Sequence, residues 1–147
     1  MRRTPLRRKT PMRPPARPVK KSKNRRVPKP DAEFWQGQRA AIAARAGGRC
    51  ERCGRDLNQT GLEAHHRKLR SQGGAHGVEN LAALCPEDHR WCHEHPAAAR
   101  LEGFIIPAVS DPASRAVTLH DGRTVRFTVE GGYDLVFEAE PESGEAS

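Results

Sequence analysis

Most of the histidines in this sequence fall in one stretch, LEAHHRKLRSQGGAHGVENLAALCPEDHRWCHEH, from Leu62 to His95, which holds six of the chain's seven. His89 and His93 are four residues apart, so on a helix both imidazoles leave the same face and can bind one metal ion. His65, on a neighbouring strand, would complete a three-histidine site. Such a site leaves open positions for water and a phosphate oxygen.

The adjacent pair His65 and His66 predicts a second role beside that metal. Adjacent residues of a strand face opposite ways, so regular geometry lets only one of the two bind the ion. A neutral imidazole is the side chain best suited to accept a proton from water near pH 7. The stretch therefore predicts a metal site with a free histidine next to it.

The four cysteines indicate a separate, structural metal site. Cys50 and Cys53 form a Cys-x-x-Cys pair in a tight turn, and Cys85 and Cys92 follow later in the chain. Thiolates at these spacings suit a tetrahedral zinc, which would give a domain of low apolar content much of its stability. In a chain without an export signal, metal ligands or free thiols are expected in place of disulfides.

The elements that must position these side chains follow from local patterns. Asp31 is a candidate N-cap for a helix, AEFWQGQRAAIAARAGG, that ends at Gly47. LEAHHR fits a short strand, KLRSQGGAHGVEN a glycine-rich loop, and LAAL leads into a helix that begins near Pro86 and ends or kinks at Pro96. We expect the first helix to bury a stripe formed by Phe34, Trp35, Ala41 and Ile42.

Beyond Arg115 the pattern changes from helical to strand periodicity. Apolar and polar residues alternate on both sides of Asp121-Gly122, which predicts a β-hairpin, and YDLVF adds a candidate third strand. No chemical constellation falls in this segment, so we assign it to packing or substrate contact.

Positive charge is concentrated at the N-terminus. Residues 1–30 contain 13 of the 26 Lys and Arg residues, seven Pro and no acid, so residues 31–147 carry 13 bases and all 18 acids. A segment of this composition cannot offset its conformational entropy by burial, and we expect it to be disordered. It is either a solvated tail or an arm that binds nucleic-acid phosphates. The acidic EAEPESGEAS is a second expected loose tail.

Two absences bear on where the protein works. No apolar run approaches the roughly 20 residues that span a bilayer, and the basic start lacks the hydrophobic core of a signal peptide. We therefore expect a cytoplasmic protein with no membrane partner.

The motif AHHRKLRSQGG…ENLAALCPEDHRWCHEH resembles the HNH endonuclease family, whose ββα-metal fold is two strands and a helix around one divalent ion. The three signature residues of the family correspond here to His66, Asn80 and His89. The likeness extends from Cys50 to His95, a third of the chain, with His-His, Gly-Gly, Asn-Leu and Leu-Cys in the family's order. The arm and the segment HPAAARLEGFIIP further resemble small HNH proteins of phages and actinobacteria.

The resemblance implies a role for each residue that matches the motif. His66 is the general base, and His65, His89 and His93 bind the catalytic ion, Mg²⁺, Mn²⁺ or a similar divalent metal. Asn80 fixes the loop that faces His66, although in some family members this Asn binds the metal. DNA phosphates are expected to contact basic residues beyond the histidine pair and in the arm, namely Arg67, Lys68, Arg70, Arg2, Arg3, Arg7, Arg8 and Lys9. His76 and His95 receive no role.

The chain departs from the family at the second zinc knuckle. Where the family has Cys-x-x-Cys-His, CPEDH places Asp88 at the position of the last cysteine. Cys92 lies one helical turn further on, and because thiolate is the better zinc ligand, we expect the zinc to be bound by Cys50, Cys53, Cys85 and Cys92, with Asp88 as the alternative. A weak or absent zinc stays open. A register with Cys92-His93 as the Cys-His pair is disfavoured because it loses the paired His89 and His93.

These patterns and the resemblance together predict an α+β fold, with a small ββα-metal core and zinc knuckle preceded by a helix and followed by a β-hairpin. The regions are a disordered basic arm (1–30), the HNH nuclease domain (31–102), the β-hairpin extension (103–137) and a disordered acidic tail (138–147). The expected function is metal-dependent hydrolysis of DNA in a bacterial or phage-infected cytosol, with phage terminase or other DNA-processing proteins as partners. The alternatives are a non-catalytic zinc module that binds DNA or protein, and a nuclease accessory factor of DNA packaging or recombination.

Overall fold

The first described element is a helix that begins as its sequence predicts. The computed structural model describes residues 27–137, so the predictions for residues 1–26 and for the tail from 138 lie outside the described residues. Helix α1 spans Ala32–Arg45, and the Asp31 carboxylate caps it by accepting from the Phe34 backbone N–H at 2.7 Å. Ile42 is buried and Trp35 and Ala41 pack partly against the core, but Phe34 is 46% exposed, so the predicted stripe is only partly buried.

Two antiparallel strands and a helix form the unit that carries the histidines. A short helix α2 (Leu57–Thr60) precedes strand β1 (Glu63–His66), which pairs with β2 (Leu81–Leu84) in a register that places His65 opposite Ala82. Thus LAAL, expected to lead into a helix, is itself a strand. All four of its residues are buried, which explains why it shows no polar alternation.

Proline residues delimit the helices that follow. Helix α3 (Pro86–Glu94) begins with Pro86 at its first turn, where a missing backbone N–H costs nothing, and α4 (Pro96–Glu102) begins directly after the α3 cap residue His95. The predicted interruption at Pro96 is thus a change from one helix to the next.

The C-terminal part of the described chain is a three-stranded antiparallel sheet. Its strands are β3 (Ala116–Thr118), β4 (Thr124–Phe127) and β5 (Tyr133–Phe137), in the order β3-β4-β5. Both the predicted hairpin and its candidate third strand are present. One hydrophobic cluster joins this sheet to the ββα unit, since it includes Val117, Val125 and Phe127 together with Leu81 and Leu84.

A buried ion pair connects α1, the cysteine turn and both sheets. Arg45 and Glu51 lie 2.9 Å apart with side chains that are 1% exposed. The Glu51 carboxylate also accepts from the Ala83 backbone N–H at 2.7 Å and from the Tyr133 hydroxyl at 2.6 Å. Every oxygen of this buried carboxylate is therefore paired, as burial of a charge requires.

The α+β arrangement of hairpin and helix agrees with the expected ββα core. Among the described residues, no helix combines the length and apolar character needed to cross a membrane.

Candidate functional site

Three imidazoles from β1 and α3 converge at one point. His65, His89 and His93 each offer a ring nitrogen, and these atoms all lie within 4.8 Å of one another. Because α3 packs on β1, the i, i+4 spacing of His89 and His93 turns both rings towards the face of β1 that carries His65. The Nε2 atoms of His89 and His93 are 3.3 Å apart.

The hydrogen bonds of His65 and His89 fix which nitrogen of each ring carries the proton and which keeps a lone pair for a cation. His65 is buried, its Nε2 lies 2.8 Å from the Phe104 carbonyl oxygen, and its buried Nδ1 has no partner. Since a carbonyl can only accept, the proton of His65 lies on Nε2 and its Nδ1 keeps a lone pair. The Glu63 carboxylate likewise accepts from Nδ1 of His89, which leaves a lone pair on Nε2 of that ring, the atom that faces Nε2 of His93.

The geometry of this group fits a divalent metal. Two nitrogens bound at about 2.0–2.1 Å to one tetrahedral ion lie roughly 3.3 Å apart, which is the separation of the His89 and His93 nitrogens. Burial lowers the pKa of His65 to about 3, an effect that the neighbouring His89 and His93 reinforce. His65 is therefore neutral at pH 7, as a metal ligand must be.

His66 lies on the other face of β1 and has different neighbours. Its ring stacks on Trp35 with centroids 5.8 Å apart and planes 8° apart. Its Nε2 is 2.9 Å from Nδ1 of His76, whose own Nε2 is 3.3 Å from the carbonyl oxygen of Pro28. Burial lowers the pKa of His66 to about 4, and His76, Arg70 and His89 add to this shift, so the ring is neutral at pH 7.

Asn80 holds the loop between the two strands. It is fully buried, its Oδ1 accepts from the Lys68 backbone N–H at 2.7 Å, and its Nδ2 donates to the carbonyls of Lys68 and Ala75 at 3.1 and 2.9 Å. These bonds cross the loop that carries His76. The arrangement corresponds to the loop-fixing role that the resemblance implies, and it uses both N–H donors of the amide.

A second group of candidate ligands lies at the cysteine turn. The thiols of Cys50, Cys53 and Cys85 and the Asp88 carboxylate also fall within 4.8 Å of one another. Cys53 and Cys85 sulfurs are 3.8 Å apart, about the separation of two sulfurs bound at roughly 2.3 Å to one tetrahedral zinc. The Cys85 sulfur accepts from the Asp88 backbone N–H, and the Cys50 sulfur from that of Cys85, both at 3.4 Å. This donor set suggests a structural zinc site.

The preference for Cys92 as the fourth zinc ligand is corrected by the structure. Cys85 is the N-cap of α3, so Asp88 in the first turn folds back over the thiols, its Oδ2 3.1 Å from the Cys50 sulfur. Cys92 lies one turn further along, fully buried among apolar side chains, where burial raises its thiol pKa to about 12. Burial acts to raise the pKa of Asp88, but hydrogen bonds from the three thiols and Arg52 outweigh it and lower that pKa.

Comparison with known protein families gives a match to the same residues. The model of the HNH endonuclease family matches residues 50–95, which contain both candidate metal groups. The chain carries an HNH endonuclease domain. Comparisons with curated proteins and with solved structures found no match. A metal-dependent nuclease acting on DNA is the function that this family suggests.

One of the DNA contacts expected for the HNH domain is wrong. Arg67 is fully buried, and its guanidinium donates to the carbonyls of Gly103 and Arg115 at 2.8 Å and of Pro112 at 3.2 Å, with the Phe127 ring 4.9 Å away. Burial lowers its pKa to about 10, still far above neutrality. Arg67 therefore joins the HNH domain to the C-terminal segment and cannot reach a phosphate. Lys68 is half-buried and Arg70 is exposed beside His66.

Sequence reasoning missed several neighbours of the HNH histidines. Glu63 could have been found, because it lies two residues before His65 and strand alternation places both side chains on one face. The packing of Trp35 and His76 against His66 had no local signal. The Phe104 carbonyl that orients His65 is 39 residues away in the sequence, so only the fold reveals it.

Proposed function

We propose that this chain is a metal-dependent endonuclease that hydrolyses DNA phosphodiester bonds, with His66 as the general base. The observation that carries the proposal is the partnerless Nδ1 atom of buried His65, because His65 groups with His89 and His93 as candidate ligands of one metal ion. An unpaired polar atom in that setting is costly unless a ligand completes it. The match to the HNH family supports the same conclusion.

The proton-accepting atom of His66 follows from its hydrogen bonds. The Pro28 carbonyl can only accept, so the His76 proton lies on Nε2 and His76 Nδ1 accepts from Nε2–H of His66. This leaves a lone pair on Nδ1 of His66. In the proposed reaction that atom takes a proton from water, the water oxygen bonds to phosphorus, and the bond from phosphorus to the 3′ oxygen breaks.

Charge stabilisation would come from the opposite face of β1. His65, His89 and His93 would hold a divalent metal ion, which would supply positive charge to stabilise the negative charge that develops on the phosphate and the departing oxygen. Glu63 fixes the ring of His89 and the Phe104 carbonyl fixes that of His65, so the ligands are oriented before the ion binds. A positioned base contributes about 10²–10⁴ in rate.

The proposed roles of the other groups are separate from this chemistry. Zinc bound by Cys50, Cys53, Cys85 and Asp88 would hold α3 against the cysteine turn. Arg70, Lys68 and the basic arm, including Arg2, Arg3, Arg7, Arg8 and Lys9, would bind phosphates without reading sequence. A phage origin and a terminase or other DNA-processing partner stay predictions of the resemblance alone.

Plasmid nicking tests the proposal. His66→Ala should lower the rate of nicking in the presence of Mg²⁺ or Mn²⁺ by at least about a hundredfold. DNA binding and zinc content should stay those of wild type. His120→Ala, an exposed histidine on the β3–β4 turn, is the matched control and should nick normally. Wild-type nicking in the His66 variant would overturn the assignment. Binding without nicking in every variant would instead favour the non-catalytic zinc module, and nicking that appears only with an added partner would favour the accessory factor.

A further inference from the structure

An open cavity of about 520 Å³ adjoins the candidate general base. Its volume falls within the range of small-ligand sites, roughly 300–1,000 Å³. None of the residues of the two candidate metal groups lines this cavity. The cavity lies on the face of β1 that carries His66, whereas His65 of the metal group is on the other face. The cavity thus offers space beside the reacting groups that the proposed hydrolysis itself does not use.

The walls of this cavity combine an aromatic ring with positive charge. Pro30, Ala32 and the half-buried Trp35 supply an apolar surface, and Lys29 and Arg70 are exposed at its margin. Asp31, the acid on the same wall, is engaged in capping α1 through the Phe34 backbone N–H. This lining therefore complements a ligand that combines a flat apolar ring with negatively charged groups.

The indole of Trp35 is fixed in place for such a contact. It stacks in parallel on His66 with centroids 5.8 Å apart, and His76 meets it edge-on at the same centroid distance. Two neighbours therefore fix the ring plane, while part of the ring still lines the cavity. An aromatic ring held in this way loses little conformational freedom when a ligand stacks on it.

We propose that the cavity binds one unpaired nucleobase of the strand to be cut, stacked against Trp35, with the flanking phosphates held by Lys29 and Arg70. A base inside a duplex is stacked on both sides and cannot enter, so the site favours single-stranded, flapped or mismatched DNA next to the scissile bond. This inference rests on the proposed function only in taking a DNA strand as the substrate.

Binding without cleavage tests the cavity directly. In a Trp91→Phe background, which leaves Trp35 as the sole tryptophan, an oligothymidylate and an abasic oligonucleotide of the same length are titrated without added Mg²⁺ or Mn²⁺. The oligothymidylate should quench Trp35 and bind roughly 5- to 150-fold more tightly, the range that one base–aromatic stack gives. The phosphates are identical in both probes, so the ratio isolates the base.

Substitutions at two positions, Trp35 and Ala32, assign that ratio to the cavity. Trp35→Ala should reduce it to about one, and Trp35→Phe should retain part of it. Ala32→Phe, at an exposed position in the first turn of α1, should fill the cavity and lower the ratio while His66 and Trp35 are both retained in the sequence. Equal binding of the two probes by wild type would overturn the proposal. An affinity ratio that is unchanged in both Trp35→Ala and Ala32→Phe would also overturn it and would assign the cavity another occupant.

Plasmid nicking, measured in parallel, separates this inference from the proposed function. If the protein nicks plasmid but binds both probes equally, the cavity proposal alone is wrong. If the base-containing probe quenches Trp35 but the protein does not nick plasmid, the nuclease assignment alone is wrong.

Discussion

Nε2 of His66 lies 2.9 Å from Nδ1 of His76. His76 is buried, and its backbone carbonyl accepts from the Gln38 side chain at 2.8 Å, so its ring has a fixed position. Because the second ring nitrogen of His76 donates to Pro28, the pair directs the proton of His66 to Nε2 and leaves a lone pair on Nδ1, the atom proposed as the base. The segment just before α1 thereby becomes part of the wall of the candidate site.

His76→Ala should lower kcat for nicking by about 10- to 100-fold with little change in KM, because a base in the wrong tautomer or orientation loses part of its contribution. His76→Gln, whose amide oxygen can accept from His66, should recover part of the rate. Kinetics with both variants check this, and His120→Ala serves as the control. Equal rates in wild type and His76→Ala would show that His66 does not depend on this bond.

Zinc content distinguishes the two candidates for the fourth ligand. Cys92→Ala should retain about one zinc per chain, whereas Asp88→Ala should lose it or release it far faster to a chelator. Asp88→Cys should slow release, since thiolate binds zinc better than carboxylate does. The measurement is zinc release monitored with a colorimetric chelator. Loss of zinc from Cys92→Ala but not from Asp88→Ala would restore the original expectation.

Two arginines three residues apart should behave in opposite ways. Arg67→Ala should cost about 3 kcal/mol or more in the free energy of unfolding, because it leaves one buried and two part-buried carbonyls without their donor. Arg70→Ala should leave stability unchanged but weaken DNA binding and reduce its salt slope by about 1. Urea denaturation and binding isotherms over a series of salt concentrations measure both effects. A stable Arg67→Ala variant with weakened DNA binding would contradict the buried role.

The contrast between Arg67 and Arg70 shows where sequence reasoning reaches its limit. RKLR looks like a solvated basic run, and the acceptors that bury Arg67 come from residues 36 to 48 positions later. Local rules were sufficient for the cap at Asp31, for the opposite faces of His65 and His66, and for the i, i+4 histidines, because each depends on neighbours within one element. The choice between Asp88 and Cys92 depended on the register of α3, which Cys85 sets by acting as its N-cap.

The buried Glu51 network should dominate the stability of the join between α1 and the two sheets. Glu51→Ala leaves the Arg45 guanidinium buried without its counter-ion, and we expect a loss of about 3–5 kcal/mol. Tyr133→Phe removes one of the hydrogen bonds to the same carboxylate and should cost less, about 1.5–3 kcal/mol. Urea denaturation with zinc retained gives both values. Equal costs would mean that the ion pair contributes nothing beyond a single bond.

The pH dependence of stability should reflect the buried histidine of the metal group. The ordinary histidine pKa is 6.5, and burial lowers that of His65 to about 3 in the folded chain. Between these values the unfolded chain binds a proton that the folded chain does not. The free energy of unfolding is therefore fully retained above about pH 6.5 and falls as the pH drops, by up to about 1.4 kcal/mol per pH unit from this group.

His65→Asn tests that contribution, since its amide can still donate to the Phe104 carbonyl but cannot be protonated in this range. Between pH 7.0 and 5.5, without added Mg²⁺ or Mn²⁺, the variant should lose less stability than wild type. Identical pH slopes in wild type and His65→Asn would mean that folding does not hold His65 neutral, and the case for its lone pair as a metal ligand would weaken with it.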